Sequence, residues 1–438
     1  MADSTLATLA IHRTIDAVWR IESARIIAGL ARLLRDVGLA EELAQDALVA
    51  ALEQWPASGI PDNPAAWLTA TAKHRAIDRL RHRTLAEQKH ALLAIELEIE
   101  QELAQADADT ARDEAIGDDL LRLVFISCHP VLPHEGRVAL TLRLLGGLST
   151  DEIARAFLVP EPTVAQRIVR AKKTLSAARV PFELPEPDQL AERLSAVLQV
   201  IYLVFNEGYA ATAGDDWTRP TLCEEAQRLG RILAGLMPNA PEVHGLLALM
   251  ELQASRLRAR VGPGGRPILL MDQDRSRWDY LLIQRGFAAL AQAEACGRGL
   301  GPYGMQAAIA ACHASARTAE QTDWIRIAAL YDALAQLTPS PVVELNRAVA
   351  VAMAYGPAAG LEIVDTLLAE PALRSYHLLP SVRADFLARL NRLDEAPRGV
   401  RACRGPRSQS AGTRAVAGAR GQMHSAGIAA RHATCYTD

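Results

Sequence analysis

The sequence predicts an all-α protein: two small helical domains, the second a helix-turn-helix, followed by a C-terminal domain of helical repeats. Apolar residues recur at the 3.6-residue spacing along nearly the whole chain, and alternating β-branched runs are absent. Acidic and proline-rich stretches also cut the chain into pieces of domain size. The chain has 438 residues, 50% of them hydrophobic and 22% charged, which is ordinary globular composition for two or three domains with proper cores.

The first amphipathic segment is "SARIIAGLARLL", with Ile26, Ile27, Leu30, Leu33 and Leu34 on one stripe and Arg25, Arg32 and Arg35 off it. "GLAEELAQDALVAALEQW" follows from Gly38 to Trp55. The loop "PASGIPDNP" ends that helix and caps the next, "AAWLTATAKHRAIDRLRHR", from Ala65 to Arg83. There Trp67, Leu68, Thr71, Ile77 and Leu80 can share an inner face. Lys73, Arg75, Arg79, Arg81 and Arg83 supply a cationic surface relieved by Asp78. Five Lys/Arg within residues 73–83, beside a tryptophan, suit single-stranded nucleic acid: charge for phosphates and a π-face for unstacked bases. The plainer reading is a solvated basic helix end that favours its own dipole.

Residues 85–119 carry eleven acids against two Lys/Arg and read as a solvated helix or flexible linker. The second unit, 117–180, begins after it. "VALTLRLLGGLS" is a helix stopped at Gly146-Gly147. Ser149 followed by Glu152 makes a capping box for "TDEIARAF". After a three-residue turn, Pro160-Glu161-Pro162 starts "TVAQRIVRAKKTL". A helix-turn-helix places its second helix in the major groove, and Thr163, Gln166, Arg167 and Arg170 carry donors at suitable spacing, with Lys172 in the cationic row behind them. Nine Lys/Arg against four acids make 120–180 locally basic. A generic helical hairpin is the alternative.

Net charge is −4, so affinity for nucleic acid must come from such patches and not from the whole field. The six cysteines, at 128, 223, 296, 312, 403 and 435, form no C-x-x-C pair and read as reduced thiols. "MADSTLATLAIHR" carries an acid where a signal peptide has cations, and the longest apolar run, around Val200–Phe205, is too short to span a bilayer. The expectation is a soluble cytoplasmic protein with no membrane partner. His129, His134, His313 and His377 show no metal spacing, and no cofactor or metal is expected. Trp217, Trp278 and Trp324 read as core packing.

Two units in this order, joined by an acidic segment, resemble a sigma factor of the sigma-70 family, extracytoplasmic-function type, over about residues 1–180. "LAEELAQDALVAALEQW" is similar to the helix that grips the clamp helices of the largest RNA polymerase subunit. The resemblance implies that Glu41, Glu42, Gln45 and Asp46 face the core enzyme. "WLTATAKHRAIDRLRHR" is similar to the helix that melts and reads the −10 element, with Trp67, Asp78 and Arg81 in the family's places. His74 stands where the family usually has asparagine, and Lys73, Arg75 and Arg79 complete the set. The acidic stretch would thread the active-site and RNA-exit channel. "GGLSTDEIARAFLVPEPTVAQRIVRAK" matches the −35-reading unit, which places Thr163, Val164, Gln166, Arg167, Arg170 and Lys172 at upstream DNA.

Domains are therefore expected at 1–84, 117–180 and 190–396, with an acidic linker at 85–116 and a proline-rich hinge at 181–189. The third domain looks like the helical extension of a subgroup of these factors, including "YLVFNEGYAA" and "QDRSRWD". "PVVELNRAVAVAMAYGPAAGLEIVDTLL" and "LLPSVRADFLARLNRLDEA" align with a period near that of tetratricopeptide helix pairs, which stack into a concave surface for a protein partner. The resemblance implies core RNA polymerase and promoter DNA as partners, with regulation in cis by the extension. A one-component regulator with a ligand-sensing helical domain is the alternative, but it needs only the helix-turn-helix. No nucleophile elbow, P-loop, HExxH or glycine-rich dinucleotide turn is present, so an enzyme is not expected.

After Ala396 the composition changes. Residues 397–438 hold seven arginines and one acid, and no Leu, Lys, Phe or Trp. They read as a disordered tail, either a basic arm for nucleic acid or an out-of-frame reading of a GC-rich gene. Pro397 and Gly399 would interrupt the last repeat, which predicts an uncovered apolar face at Leu379, Val382, Phe386 and Leu390.

Overall fold

The computed structural model describes residues 2–83, 109–157, 159–210, 218–262, 268–374, 376 and 378–395. Among them are seventeen α-helices, a few 3-10 turns and no β-strand, so the fold is all-α. Most of the acidic linker (85–108) and the whole tail (397–438) lie outside the described residues, as do Trp217 and His377.

The chain divides into two compact units. The first contains α1 (Ala2–Leu34), α2 (Val37–Ser58), α3 (Pro64–Arg83), α4 (Asp109–Ser127), α5 (His134–Leu144), α6 (Thr150–Phe157) and α7 (Glu161–Ala177). It also takes α8 (Leu190–Tyr209) through Gly208 and α9 (Pro220–Leu236) from Glu224 onward. Local chemistry sets these boundaries. The Asp36 carboxylate accepts from the Leu39 N–H at 3.0 Å to start α2, and Asn63 accepts from Ala66 at 3.0 Å to start α3. Gly59, at φ 86°, closes α2 with its N–H on the Trp55 carbonyl. The capping box at α6 is present in both directions: Glu152 N–H to Ser149 Oγ at 3.1 Å, and Ser149 N–H to Glu152 Oε2 at 2.8 Å.

In this unit α1 packs along α2, α3 and α4, α5 and α6 pack on α7, and α7 also meets α2. Ile15, Ile27, Leu30, Leu68 and Trp55 make one fully buried core. A second apolar seam encloses a small cavity lined by Ala24 of α1, Leu120, Val124 and Cys128 of α4, Leu145, Val197 and Ile201 of α8, and Leu229 and Leu233 of α9. The helices after the proline-rich stretch thus share a core with those before it.

The second unit holds α10 (Pro241–Ala254), α11 (Leu257–Arg260), α12 (Tyr280–Ala295), α13 (Pro302–Ser315), α14 (Trp324–Leu337), α15 (Pro341–Tyr355), α16 (Pro357–Leu367) and α17 (Leu378–Arg389). Helices from α13 to α17 each pack on the next, as stacked helical pairs do. α10 crosses α13 so closely that a Cβ on Gly245 would meet the Gly304 nitrogen at 2.6 Å. Trp278 and Trp324 are buried, in line with the core-packing reading. The face expected to be uncovered is covered: Leu379, Val382 and Phe386 are buried in the core that α15 and α16 build, with Leu390 packed at its edge. Gly360 admits the Phe386 ring, whose edge would stand 2.9 Å from any Cβ there.

Candidate nucleic-acid interface

On α2 the buried stripe is Ala40, Leu43, Ala44, Ala47, Ala50 and Ala51, so helical spacing sends Glu42 and Asp46 outward, where both are exposed; Gln45 is half-buried. Asp46 lies 4.0 Å from Arg75 across the surface. Glu41 departs from the sequence expectation. It falls beside Ala40 on the inner stripe, is 4% exposed, and accepts from Arg143 Nε of α5 at 2.8 Å and from the Lys172 ammonium of α7. It therefore presents nothing to an outside partner in this conformation.

On α3 the buried positions are Leu68, Ala72, Lys73, Ala76 and Ile77. Lys73 is the correction here. At 9% exposure it belongs to the inner side, four residues before Ile77, and not to the cationic surface. His74, Asp78 and Arg79 are exposed together, and Arg75 is half-buried. Half-buried Trp67 stands edge-on to fully buried Trp55, with centroids 5.4 Å apart. That contact fixes one aromatic ring beside the polar side chains. The side chain of Arg81 is outside the described residues.

The helix α7 buries Val164, Ile168, Ala171 and Leu175 against α5 and α6, a clean i, i+4, i+7, i+11 stripe. Val164, 1% exposed, is thus core and not a DNA contact. Gln166 and Arg170 are exposed, and Thr163 and Arg167 are half-buried beside them. Lys172 leaves this face for Glu41. Two further ties hold α6 and the turn before it to α1. Arg20 pairs with Glu152 at 2.6 Å. Gly147, at φ 64°, lies so close to Ser23 that a Cβ would stand 2.8 Å from the hydroxyl. Burial pushes the Glu152 carboxyl up, but the Ser149 N–H and hydroxyl and the Arg20 guanidinium outweigh it and hold it below its ordinary value. Asp119 differs: burial lifts it above the ordinary carboxylate range although Arg32 and Arg122 both touch it.

Residues 21–85 match the family described as Sigma-70 region 2, and residues 122–175 match Sigma-70, region 4. Residues 193–294 match a family of unknown function, DUF6596. The chain is 30% identical over 157 residues to the ECF RNA polymerase sigma factor SigK of Mycobacterium ulcerans, covering 34% of this chain and 78% of that protein. The chain belongs to the sigma-70 family, extracytoplasmic-function type. The sigma factor is also 41% identical over 69 residues, 16% of its length and 36% of the other's, to the ECF RNA polymerase sigma-E factor of Haemophilus influenzae. Over 372 residues, 84% of its length, it is 45% identical to the uncharacterized protein R00370 of Rhizobium meliloti, of which it covers 86%. No solved structure matches it.

In this sigma factor the two matched regions are α1–α3 and α4–α7, and the extension begins within α8. Sequence reasoning missed Arg143 altogether. Its one local signal was position: a cation in the last turn of α5, which also reaches the Leu148 carbonyl at 3.2 Å. Among the described residues no helix is long and apolar enough to cross a membrane.

Proposed function

We propose that this sigma factor binds core RNA polymerase through the outward stripe of α2 and directs it to promoters through α3 and α7. Glu42, Gln45 and Asp46 supply the polymerase face. Trp67, His74, Arg75, Asp78, Arg79 and Arg81 act at the −10 element, and Thr163, Gln166, Arg167 and Arg170 read the −35 element. The observation that carries this reading is the division of labour on the surface. An acidic stripe on α2 lies next to an aromatic-backed polar face on α3, while a separate helix-turn-helix turns Gln166 and Arg170 outward. A one-component regulator would need only the last of these. The domain after α9 acts by binding, as a regulatory surface of stacked helices for a protein partner, and catalyses nothing. Transcription in vitro with purified core enzyme on a promoter library tests the reading. Absence of any start site that depends on the added protein would refute it.

A further inference from the structure

The second unit contains a stack of three guanidiniums and two aromatic rings that neither polymerase nor promoter binding uses. The guanidinium carbon of Arg260 lies 3.8 Å from the centre of the Tyr209 ring. That of Arg256 is 6.0 Å from Tyr209 and 5.9 Å from Trp278, and that of Arg275 is 4.8 Å from Trp278. The order is thus Arg260, Tyr209, Arg256, Trp278, Arg275. Its middle three members are buried and both ends are part-exposed, so the stack leads from solvent inward. Two stretches that stand out in the sequence meet here: "YLVFNEGYAA" supplies Tyr209, and "QDRSRWD" supplies Arg275 and Trp278. Cation–π attraction accounts for the stacking but does not neutralise the charge. Arg275 donates to the His313 carbonyl at 2.6 Å, the Ala316 carbonyl at 2.7 Å and the Thr322 hydroxyl at 3.2 Å, all neutral acceptors. Burial, then the Arg256 charge, press the Arg275 pKa below its ordinary value, and exposed Glu320 does not offset them. Two polar atoms at the stack are also unmatched. The Trp278 indole N–H and the Gln273 side-chain oxygen are buried with no hydrogen-bond partner, on residues 7% and 9% exposed. Gln273 is tied to the stack through Ile268, whose carbonyl accepts from the Gln273 amide at 3.1 Å and whose N–H donates to the Arg260 carbonyl at 2.7 Å.

We propose that this stack is a binding site for a small hydroxylated oxyanion, a hydroxycarboxylate or the phosphate ester of a polyol. Arg275 and the Trp278 N–H are its anion-binding groups, and Gln273 accepts from its hydroxyl. The ligand class follows from these three groups. A guanidinium and an indole N–H only donate, so they call for an acceptor, and the charge selects an anionic one. The Gln273 oxygen only accepts and calls for a donor, which a bare carboxylate lacks and a hydroxyl supplies. A purely structural stack explains the rings and the cations but leaves two buried polar atoms at a cost. A water molecule satisfies hydrogen bonds yet brings no charge to Arg275. All of these residues belong to the second unit, so the site makes that unit a small-molecule receptor independently of how the first unit reads promoters.

Isothermal titration of the full-length protein, without polymerase or DNA, tests this. The probes are D-glycerate, a hydroxycarboxylate; glycerol phosphate, a phosphate ester; and neutral glycerol. At least one of the two anions should bind with a Kd of about 1 mM or tighter, and glycerol should not. Binding of glycerate alone assigns the site to carboxylates, and binding of glycerol phosphate alone assigns it to phosphate esters. Binding of both means that charge and hydroxyl suffice. No heat from either anion up to about 10 mM, or glycerol binding as tightly as they do, would overturn the site. Trp278→Phe keeps a ring between the guanidiniums and removes only the N–H, so it should weaken the anion about tenfold while the protein stays folded. Arg275→Gln should weaken it at least as much. Because Arg275 also holds the end of α13, Trp278→Phe decides the matter if Arg275→Gln misfolds. Unchanged affinity in Trp278→Phe would place the anion elsewhere and exclude the proposal.

Discussion

The His313 ring stands edge-on to Trp324, centroids 5.3 Å apart and planes crossed at 78°. Burial, reinforced by the Arg256 and Arg275 guanidiniums, pushes its pKa down to about 3. A histidine whose folded pKa lies below its unfolded value of about 6.5 stabilises fully above pH 6.5, and that contribution is lost as pH falls towards 3. Denaturant midpoints of the second unit should therefore fall over this window. In His313→Gln the fall should be shallower, the difference reaching the order of 4 kcal/mol at the acid end. Parallel curves for variant and parent would show that the imidazole stays accessible to protons.

Trp55 sits under Trp67 with almost no exposure. Trp55→Ala should cost about 3–5 kcal/mol, measured by chemical unfolding. Trp55→Phe should cost less than about 1.5 kcal/mol, because the ring stays and the indole N–H, which has no hydrogen-bond partner, is removed. If the two variants were equally destabilised, the ring contact would not be what supports α3.

Asp46→Arg reverses the charge of the outward stripe of α2 and sets a cation beside Arg75. Because Asp46 is exposed and Arg75 only half-buried at a separation of 4.0 Å, stability should change by less than about 1 kcal/mol. Pull-down of core polymerase should fall nonetheless. Undiminished capture would place the polymerase face elsewhere.

Arg170→Ala should cost about 1–3 kcal/mol on a specific promoter if its guanidinium meets a guanine, and should relax preference at one upstream base pair. Arg79→Ala is expected to weaken binding on every sequence and to reduce the salt slope by about one. Protection footprints over the upstream and downstream elements separate the two outcomes.

Cutting after Pro187 removes Val197, Ile201, Leu229 and Leu233, which close over Leu120, Val124 and Leu145. A fragment 1–187 should therefore melt roughly 5 °C or more below a fragment 1–236. Equal melting temperatures would mean that α8 and α9 add nothing to the core of the first unit.

The fold was legible where its signals are local. The capping box joins Ser149 and Glu152, three positions apart, and the stripe at Val164, Ile168, Ala171 and Leu175 is a plain helical period. The helix-turn-helix follows from those alone. The site was legible only in part, because a residue's identity does not say which side of its helix finds a partner. Lys73 reads as surface by charge, yet lies in line with Ile77 on the buried side. Glu41 meets cations 102 and 131 residues further along the chain, and no window of sequence contains both ends of such a pair. The buried apolar face of α17 was misjudged for a related reason: α15 and α16, which precede it, already supply the cover.

Gly147 carries a consequence for how such a protein can change over generations. Every substitution at this position adds at least one carbon, and that carbon would press on Ser23 while the backbone resists a positive φ. A point mutation at this codon is thus a wedge between α1 and the turn before α6, whichever amino acid it brings. Drift here would not silence the protein by erasing a contact surface. It would instead strain the seat of that turn on α1, so replacements at this codon should be rare among folded descendants of the sequence.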